Sequence, residues 1–180
     1  MKKLIILLLF IPLVSFGQTA KEYFISAYEK SNNDDPYGAI SDYTEAINLN
    51  PEGFQLVMCY SNRASLKKQI GDLKGAISDY TKAINIKIDE TQLPPGYANF
   101  SASAYYGRAN AKRSLEDPYG AIADYTKAVQ MKPDYSSAYS NMGIAKYNLG
   151  DLKGACGDWE KAAKLGHTNA AKWVNENCKL

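Results

Sequence analysis

Few side chains in this chain could do chemistry. It has 180 residues, with one histidine and three cysteines. His167 belongs to no Ser-His-Asp grouping, and neither a nucleophile elbow nor a phosphate-binding glycine loop is present. Cys156, His167 and Cys178 could bind a metal ion, but three ligands at irregular spacing make a poor zinc signal. The sequence therefore predicts no enzyme, no metal site and no cofactor.

Carboxylates are more numerous, and their positions repeat. The chain has 19 aspartates and glutamates. Four stretches of nearly the same sequence carry several of them, at residues 35–47, 72–84, 117–129 and 151–163. A repeat of about 34 residues is typical of a helical solenoid, which offers a surface for binding rather than a catalytic pocket. We therefore interpret these aspartates as helix caps and outer-face residues.

Each of the four stretches is predicted to be a helix with one face suited to close packing. Small, large and small side chains at i, i+4 and i+7 lie on one face of a helix. The four sets are Ala39-Tyr43-Ala46, Ala76-Tyr80-Ala83, Ala121-Tyr125-Ala128 and Ala155-Trp159-Ala162. An aspartate precedes each helix and is expected to cap it, at Asp35, Asp72, Asp117 and Asp151.

This pattern resembles the tetratricopeptide repeat family over nearly all of the chain after residue 17. The first helix of each unit has the expected aromatic residue (Tyr23, Tyr60, Tyr105, Tyr139) and the expected small residue (Ala27, Ala64, Ala109, Gly143). The closing proline is present as Pro51 and Pro133 but is replaced by Ile88 and His167. The resemblance implies an all-α, right-handed solenoid of four helix-turn-helix repeats, at about residues 20–53, 57–90, 102–135 and 136–169, with a capping helix at 168–178.

Residues 1–17 have the features of a secretory signal peptide. A short basic start precedes an apolar stretch, residues 4–14, which is too short to span a bilayer. Small residues, Ser15 and Gly17, stand at the two positions that a signal peptidase reads before Gln18. We predict that the mature chain is a single domain, residues 18–180, exported into a bacterial periplasm and not inserted in the membrane.

Removing the leader makes the domain formally neutral. It removes two lysines and no acid, so 21 basic and 19 acidic residues become 19 of each. A neutral domain lacks the positive field that nucleic-acid binding needs, so no nucleic-acid partner is expected. One lysine and one aspartate recur in each repeat, at Lys30, Lys67, Lys112 and Lys146 and at Asp42, Asp79, Asp124 and Asp158. We interpret them as a solvated, paired row, the alternative being a lysine ladder that contacts an anionic partner.

The resemblance also bears on the cysteines. The end of the chain resembles a type of exported tetratricopeptide protein in which cysteines placed like Cys156 and Cys178 pair. Such a disulfide would fasten the capping helix to the last repeat in an oxidising compartment. Cys59 is left over and is interpreted as a buried thiol near the start of a helix.

Ligands of this family lie against the first helices, so the resemblance implies that a concave groove is the binding site. The inward positions are held here by Phe24, Tyr28, Ser61, Asn62, Ser65, Lys68, Tyr106, Asn110, Arg113, Ser140, Asn141, Ile144 and Tyr147. Rigid aromatics beside serine and asparagine suit an extended peptide. Relatives that clamp a terminal carboxylate need basic residues where this chain has Ser103, Gly107 and Ser137, so that specificity is not implied.

Three interpretations remain open for the function. The first is a non-enzymatic scaffold or adaptor of the cell envelope that binds a protein or an extended peptide in the groove. The second is a structural component or assembly factor of an envelope complex that docks through convex or terminal surfaces. In the third, the inner residues are only a soluble surface. Comparing variants that lack inner aromatic residues with variants that lack outer ones distinguishes the first interpretation from the second.

Overall fold

The computed structural model describes residues 18–88 and 93–178, and within these ranges it is helical with no β-strand. Its helices are α1 Ala20–Asn32, α2 Pro36–Asn48, α3 Gly53–Gln69, α4 Leu73–Asn85, α5 Tyr97–Ser114, α6 Pro118–Met131, α7 Ser136–Asn148, α8 Leu152–Lys164 and α9 Thr168–Asn177. Each helix packs against the next one along the chain, which gives a solenoid of helical pairs followed by α9. The predicted signal peptide, residues 1–17, lies outside the described residues.

The predicted aspartate caps are confirmed in the second helix of every pair. Each carboxylate accepts a hydrogen bond from the backbone N–H three residues later, at 2.8 to 2.9 Å. That third residue is a glycine in all four helices, and the capping carboxylate lies close to it, as Asp72 does to Gly75. The aspartate of the sequence Asp-x-x-Gly is therefore explained by the start of the helix.

The small-large-small faces lie between the helices as predicted. Ala39, Ala76, Ala121 and Ala155 are completely buried, and so are nearly all of the rings of Tyr43, Tyr80, Tyr125 and Trp159. Two of these rings lie directly on glycines of a first helix, Tyr80 on Gly107 and Trp159 on Gly143, where a Cβ would collide with the ring. The tightest helix contacts thus combine a large ring with a residue that has no side chain.

The lysine–aspartate pairing is confirmed in all four repeats. The Nζ–Oδ distances are 2.6 Å for Lys30–Asp42, 2.8 Å for Lys67–Asp79 and Lys112–Asp124, and 2.7 Å for Lys146–Asp158. The placement of these aspartates on an outer, solvated face is wrong, since all four are buried. They project between helices because they lie next to the buried ring of the small-large-small face, as Asp79 does beside Tyr80.

Two arginines that the sequence interpretation missed complete this ionic row. Arg63 donates from Nε and Nη2 to both oxygens of Asp79, at 2.8 and 2.9 Å, and from Nη1 to Thr44 of the preceding repeat. Arg108 repeats the arrangement one unit later with Asp124 and Thr81. Each guanidinium therefore binds the aspartate of its own repeat through a planar, bidentate contact and reaches the preceding repeat through one hydrogen bond to a threonine.

The final helix, α9, covers the end of the solenoid and packs on α8. A disulfide joins Cys156 of α8 to Cys178, the residue that ends α9. His167 caps α9, because its Nδ1 accepts a hydrogen bond from Ala170 N at 3.3 Å. With both thiols used in the bond and the imidazole used as a cap, Cys156, His167 and Cys178 do not form a metal site.

Cys59 is a free and fully buried thiol, as predicted. Burial raises its pKa to about 11. The thiolate is the reactive form of cysteine, so Cys59 is a packing residue and not a nucleophile. Among the described helices, none is both long and apolar enough to cross a membrane.

Candidate functional site

The inner faces of α3 and α5 enclose a cavity of about 310 Å³ between them. Five predicted groove residues line it, namely Ser61, Asn62, Ser65, Lys68 and Tyr106. The other lining residues are Tyr80, Phe100, Ser103, Ala104, Gly107 and Tyr135. On α3 the predicted residues fall at i, i+4 and i+7 from Ser61, so one helix face supplies them.

A second, smaller cavity of about 160 Å³ continues this surface toward the first repeat. Asn62 and Ser65 line both cavities, and Tyr28 of α1 forms part of the far wall. The amide of Asn62 donates to the hydroxyl of Tyr43 at 3.2 Å, which fixes the amide at the boundary. The two cavities are therefore neighbouring parts of one surface, which we call the inner groove.

A hydrogen-bonded network of tyrosine and asparagine side chains joins α5, α6 and α7 and reaches the inner groove at Tyr106. The Tyr125 hydroxyl donates to Asn110 Oδ1 at 2.6 Å, and Asn141 Nδ2 donates to Asn110 Oδ1 and to the Tyr106 hydroxyl, both at 3.0 Å. The Tyr106 ring also lies 4.8 Å from that of Tyr135, between centroids. These predicted groove residues are thus held in place before any ligand arrives.

An aromatic pocket of about 270 Å³ lies at the α9 end of the solenoid. The predicted groove residues Ile144 and Tyr147 line it, together with Trp159, Trp173 and Asn177. The centroid of the Trp159 ring lies 5.5 Å from those of both Tyr147 and Trp173. Because Trp173 belongs to α9, the capping helix contributes a wall of this pocket.

Comparison with known proteins agrees with this architecture. A family model described as tetratricopeptide repeat matches residues 59–87 and 102–135. The chain has the tetratricopeptide repeat fold. No curated protein matches the sequence significantly.

Several solved structures are similar in fold. A crystal structure of MamA is 21% identical with a TM-score of 0.71, and the match covers 84% of this chain and 81% of that one. A tetratricopeptide repeat protein from Parabacteroides merdae is 19% identical with a TM-score of 0.69, covering 84% and 55%. The first such domain of Spaghetti (RPAP3), bound to an HSP90 peptide, is 24% identical with a TM-score of 0.59, covering 69% and 91%.

Not every predicted residue of the tetratricopeptide groove reaches its surface. Ser140 is 1% exposed, and its backbone oxygen accepts a hydrogen bond from Trp159 Nε1 at 3.3 Å, so the prediction that it contacts a ligand is wrong. The Trp159 ring, which packs beside Ser140, belongs to the next helix, α8. Phe24, at the same register in α1, is half-buried with its ring edge against Tyr43.

Ser61 differs from Ser140 although both occupy the same register. It is 7% exposed and lines the larger cavity, and its hydroxyl has no hydrogen-bond partner among the described residues. Burying a hydroxyl without a partner costs about 1–3 kcal/mol by mutational measures.

Tyrosine hydroxyls add neutral polar groups to the groove. Burial raises the pKa of Tyr80 and of Tyr135, and raises that of Tyr125 to about 12. These phenols therefore stay protonated at physiological pH and can donate hydrogen bonds. The sequence predicts Tyr80 to be a core residue and gives no role to Phe100 or Tyr135. In the structure all three residues line the cavity.

Proposed function

We propose that the protein is a non-enzymatic binding module whose inner groove holds an extended segment of a partner protein. The observation that carries the proposal is the preformed cavity between α3 and α5, which is lined by hydroxyls, an amide and Lys68. Amides and hydroxyls around it suit the backbone of an extended peptide, which presents N–H and C=O groups along its length. The RPAP3 domain, which was solved with a bound HSP90 peptide, supports peptide binding by this fold.

Exposed tyrosines at the two ends of the inner surface are suited to anchor such a segment. Tyr28 is 56% exposed and Tyr147 is 48% exposed, although both lie against cavities lined by other aromatic rings. Tyrosine combines a large rigid contact area with a polar tip and loses little conformational entropy on binding. Tyr106, also a predicted groove residue, lines the larger cavity and is held by a hydrogen bond from Asn141.

The test compares two pairs of exposed tyrosines, with short random displayed peptides selected on the wild-type protein as the probe. Replacing Tyr28 and Tyr147 by alanine is expected to weaken binding of the selected peptides by about 2 kcal/mol or more, because both are proposed anchors. The matched control replaces Tyr37 and Tyr119, which are 70% and 73% exposed on α2 and α6. Both double variants are expected to keep the wild-type melting temperature, since surface truncations change stability little.

Two results would overturn the proposal. Either no peptide is selected above background, or the double variant without Tyr28 and Tyr147 binds the selected peptides as tightly as the wild type does. If instead the outer pair alone loses binding to a partner, docking through the outer surface becomes the better account. The exposure of Tyr37 and Tyr119 at equivalent places of two repeats is the observation that favours this second candidate, a structural or assembly role.

We also propose that the protein is exported and acts in the cell envelope. The leader pattern of residues 1–17 supports export, and the Cys156–Cys178 bond is of a kind that persists in oxidising compartments. The balance of 19 basic and 19 acidic residues after residue 17 argues against nucleic acid as the partner. N-terminal sequencing of the protein from its host is expected to read from Gln18, and an intact Met1 would contradict export by cleavage.

A further inference from the structure

The cations of α3 and α5 fall into two groups that differ in their partners. Those of the ionic row contact a buried aspartate within 2.9 Å: Arg63, Lys67, Arg108 and Lys112. Lys68 and Arg113 contact no carboxylate among the residues that the structure describes. On these two helices the fold thus neutralises the cations that lie between helices and leaves Lys68 and Arg113 without a counter-charge.

Both unpaired cations lie on the groove face of a first helix. Lys68 follows Ser61 by seven residues on α3, and Arg113 follows Tyr106 by seven residues on α5, so each shares a helix face with a residue of the cavity. Lys68 lines the cavity itself. The two therefore stand on successive first helices, in equivalent places of two neighbouring repeats.

The guanidinium of Arg113 is only partly paired within the fold. A cation in the last turn of a helix stabilises that helix through its dipole, which accounts for a positive charge at both positions. The guanidinium also lies near the Tyr125 hydroxyl, and its buried Nε has no hydrogen-bond partner among the described residues. Arg113 is half-buried and contacts no carboxylate, so its outer N–H groups can bind an anion.

No acidic side chain offsets these charges within the groove. The described residues lining the two groove cavities and the aromatic pocket include serines, asparagines, tyrosines and Lys68, but no aspartate or glutamate. Ser61 adds a buried hydroxyl without a partner to the same cavity as Lys68. The inner groove is thus rich in hydrogen-bond donors, with Lys68 in its lining and Arg113 at the equivalent place on the next first helix.

From this arrangement we propose that the inner groove is selective for an acidic extended peptide, with one carboxylate side chain bound at Lys68 and a second at Arg113. The proposal rests on the proposed function and names the chemistry of its ligand. Two cations suit a peptide with two acidic residues, whereas nucleic acid needs a longer array of cations along its phosphates. The site is separate from the family's carboxylate clamp, whose basic positions are held here by Ser103, Gly107 and Ser137.

The experiment selects short random displayed peptides on residues 18–180 with the disulfide intact. Wild-type protein is expected to enrich peptides with two acidic residues, and a selected peptide is expected to bind less tightly as salt is raised, because the charge pairs lie near the surface. Lys68→Gln with Arg113→Gln is expected to lower its affinity about tenfold or more, since a hydrogen bond between charged groups is worth that much. Lys82→Gln with Lys127→Gln, the same loss of charge on exposed outer positions, is the control and is expected to change the affinity less than twofold.

The possible outcomes separate the two proposals. Two results overturn the acidic specificity while peptide binding stands. The first is that the selected peptides are not enriched in acidic residues. The second is that the Lys68/Arg113 variant and the Lys82/Lys127 variant lose the same amount of peptide affinity. Failure to select any peptide overturns the proposed function itself. A single-stranded oligonucleotide that binds more tightly than the selected peptides, with the same dependence on Lys68 and Arg113, shows that the occupant is not a peptide and also overturns the inference.

Discussion

Replacing Asp79 with alanine is expected to lower the free energy of unfolding by about 3–5 kcal/mol, because it leaves two cations without their shared partner. Arg63 contacts both carboxylate oxygens and Lys67 contacts one of them, and the Asp79 side chain is 2% exposed. Arg63 also bridges to Thr44, so losing its anchor loosens the contact between two repeats. Chemical denaturation of the wild type and the variant measures the loss.

Asp158 is the matched control for this substitution, because it occupies the same place in the last repeat with one cation fewer. Met142 stands where Arg63 and Arg108 stand in the middle repeats, so Lys146 alone contacts Asp158. Asp158→Ala is therefore expected to cost clearly less than Asp79→Ala. Equal losses for the two variants would show that the arginine contacts do not stabilise the fold.

The pH dependence of the two losses is expected to differ as well. Burial disfavours the charged form of Asp79, but hydrogen bonds from Arg63 and Lys67 outweigh it and lower its pKa, whereas burial dominates at Asp158 and raises its pKa. A lowered folded-state pKa gives stability that is present above the usual aspartate range and lost as pH falls through the folded value. A raised folded-state pKa has the opposite effect: ionisation of the group lowers the stability of the folded state, and this loss disappears as pH falls. Acidification is therefore expected to shrink the effect of Asp79→Ala and not that of Asp158→Ala.

Cys178→Ser is expected to lower the free energy of unfolding by about 3 kcal/mol, because the disulfide closes a loop with a sequence separation of 22. Helix α9 is short and has α8 as its main packing partner, so without the bond it separates more easily and exposes Trp159 and Trp173. Denaturant unfolding followed by tryptophan fluorescence measures both effects.

Reduced wild-type protein is the control for this variant, since it loses the same bond without a substitution. It is expected to unfold at the same denaturant concentration as Cys178→Ser. An unchanged midpoint in both samples would mean that α9 is held by packing alone. Peptide mapping without reductant is expected to recover Cys156 linked to Cys178 and Cys59 free.

The parts of the fold that recur in every repeat could be predicted from the sequence. Asp72 caps its helix and Ala76 packs against a neighbouring helix as expected, because caps and packing faces depend on spacing within a single helix. The pairing of Lys67 with Asp79 also followed from recurrence. The contact of Arg63 with Asp79 could not be predicted in this way. The equivalent position is Ser26 in the first repeat and Met142 in the last, so the arginine does not recur in every repeat.

The candidate site was predictable only as far as helix register determines it. Register identified Ser61, Ser65 and Lys68, which lie on one face of α3. It could not identify Phe100 or Tyr135, whose positions depend on where α5 begins and on how the chain enters α7. Helix register also could not predict how deeply each side chain is buried, since Ser61 and Ser140 share a register but only Ser61 lines the groove cavity.

Photo-crosslinking in the native host tests most directly whether the inner groove binds a partner. A photoreactive amino acid is placed at Ser65, which is exposed and lines both groove cavities, or at Ser78, which is exposed on α4 away from them. Groove binding predicts crosslinks to one extended segment of a partner from Ser65, abolished by Lys68→Gln with Arg113→Gln, and no such crosslinks from Ser78. Crosslinks to a partner from Ser78 and none from Ser65 would contradict the account.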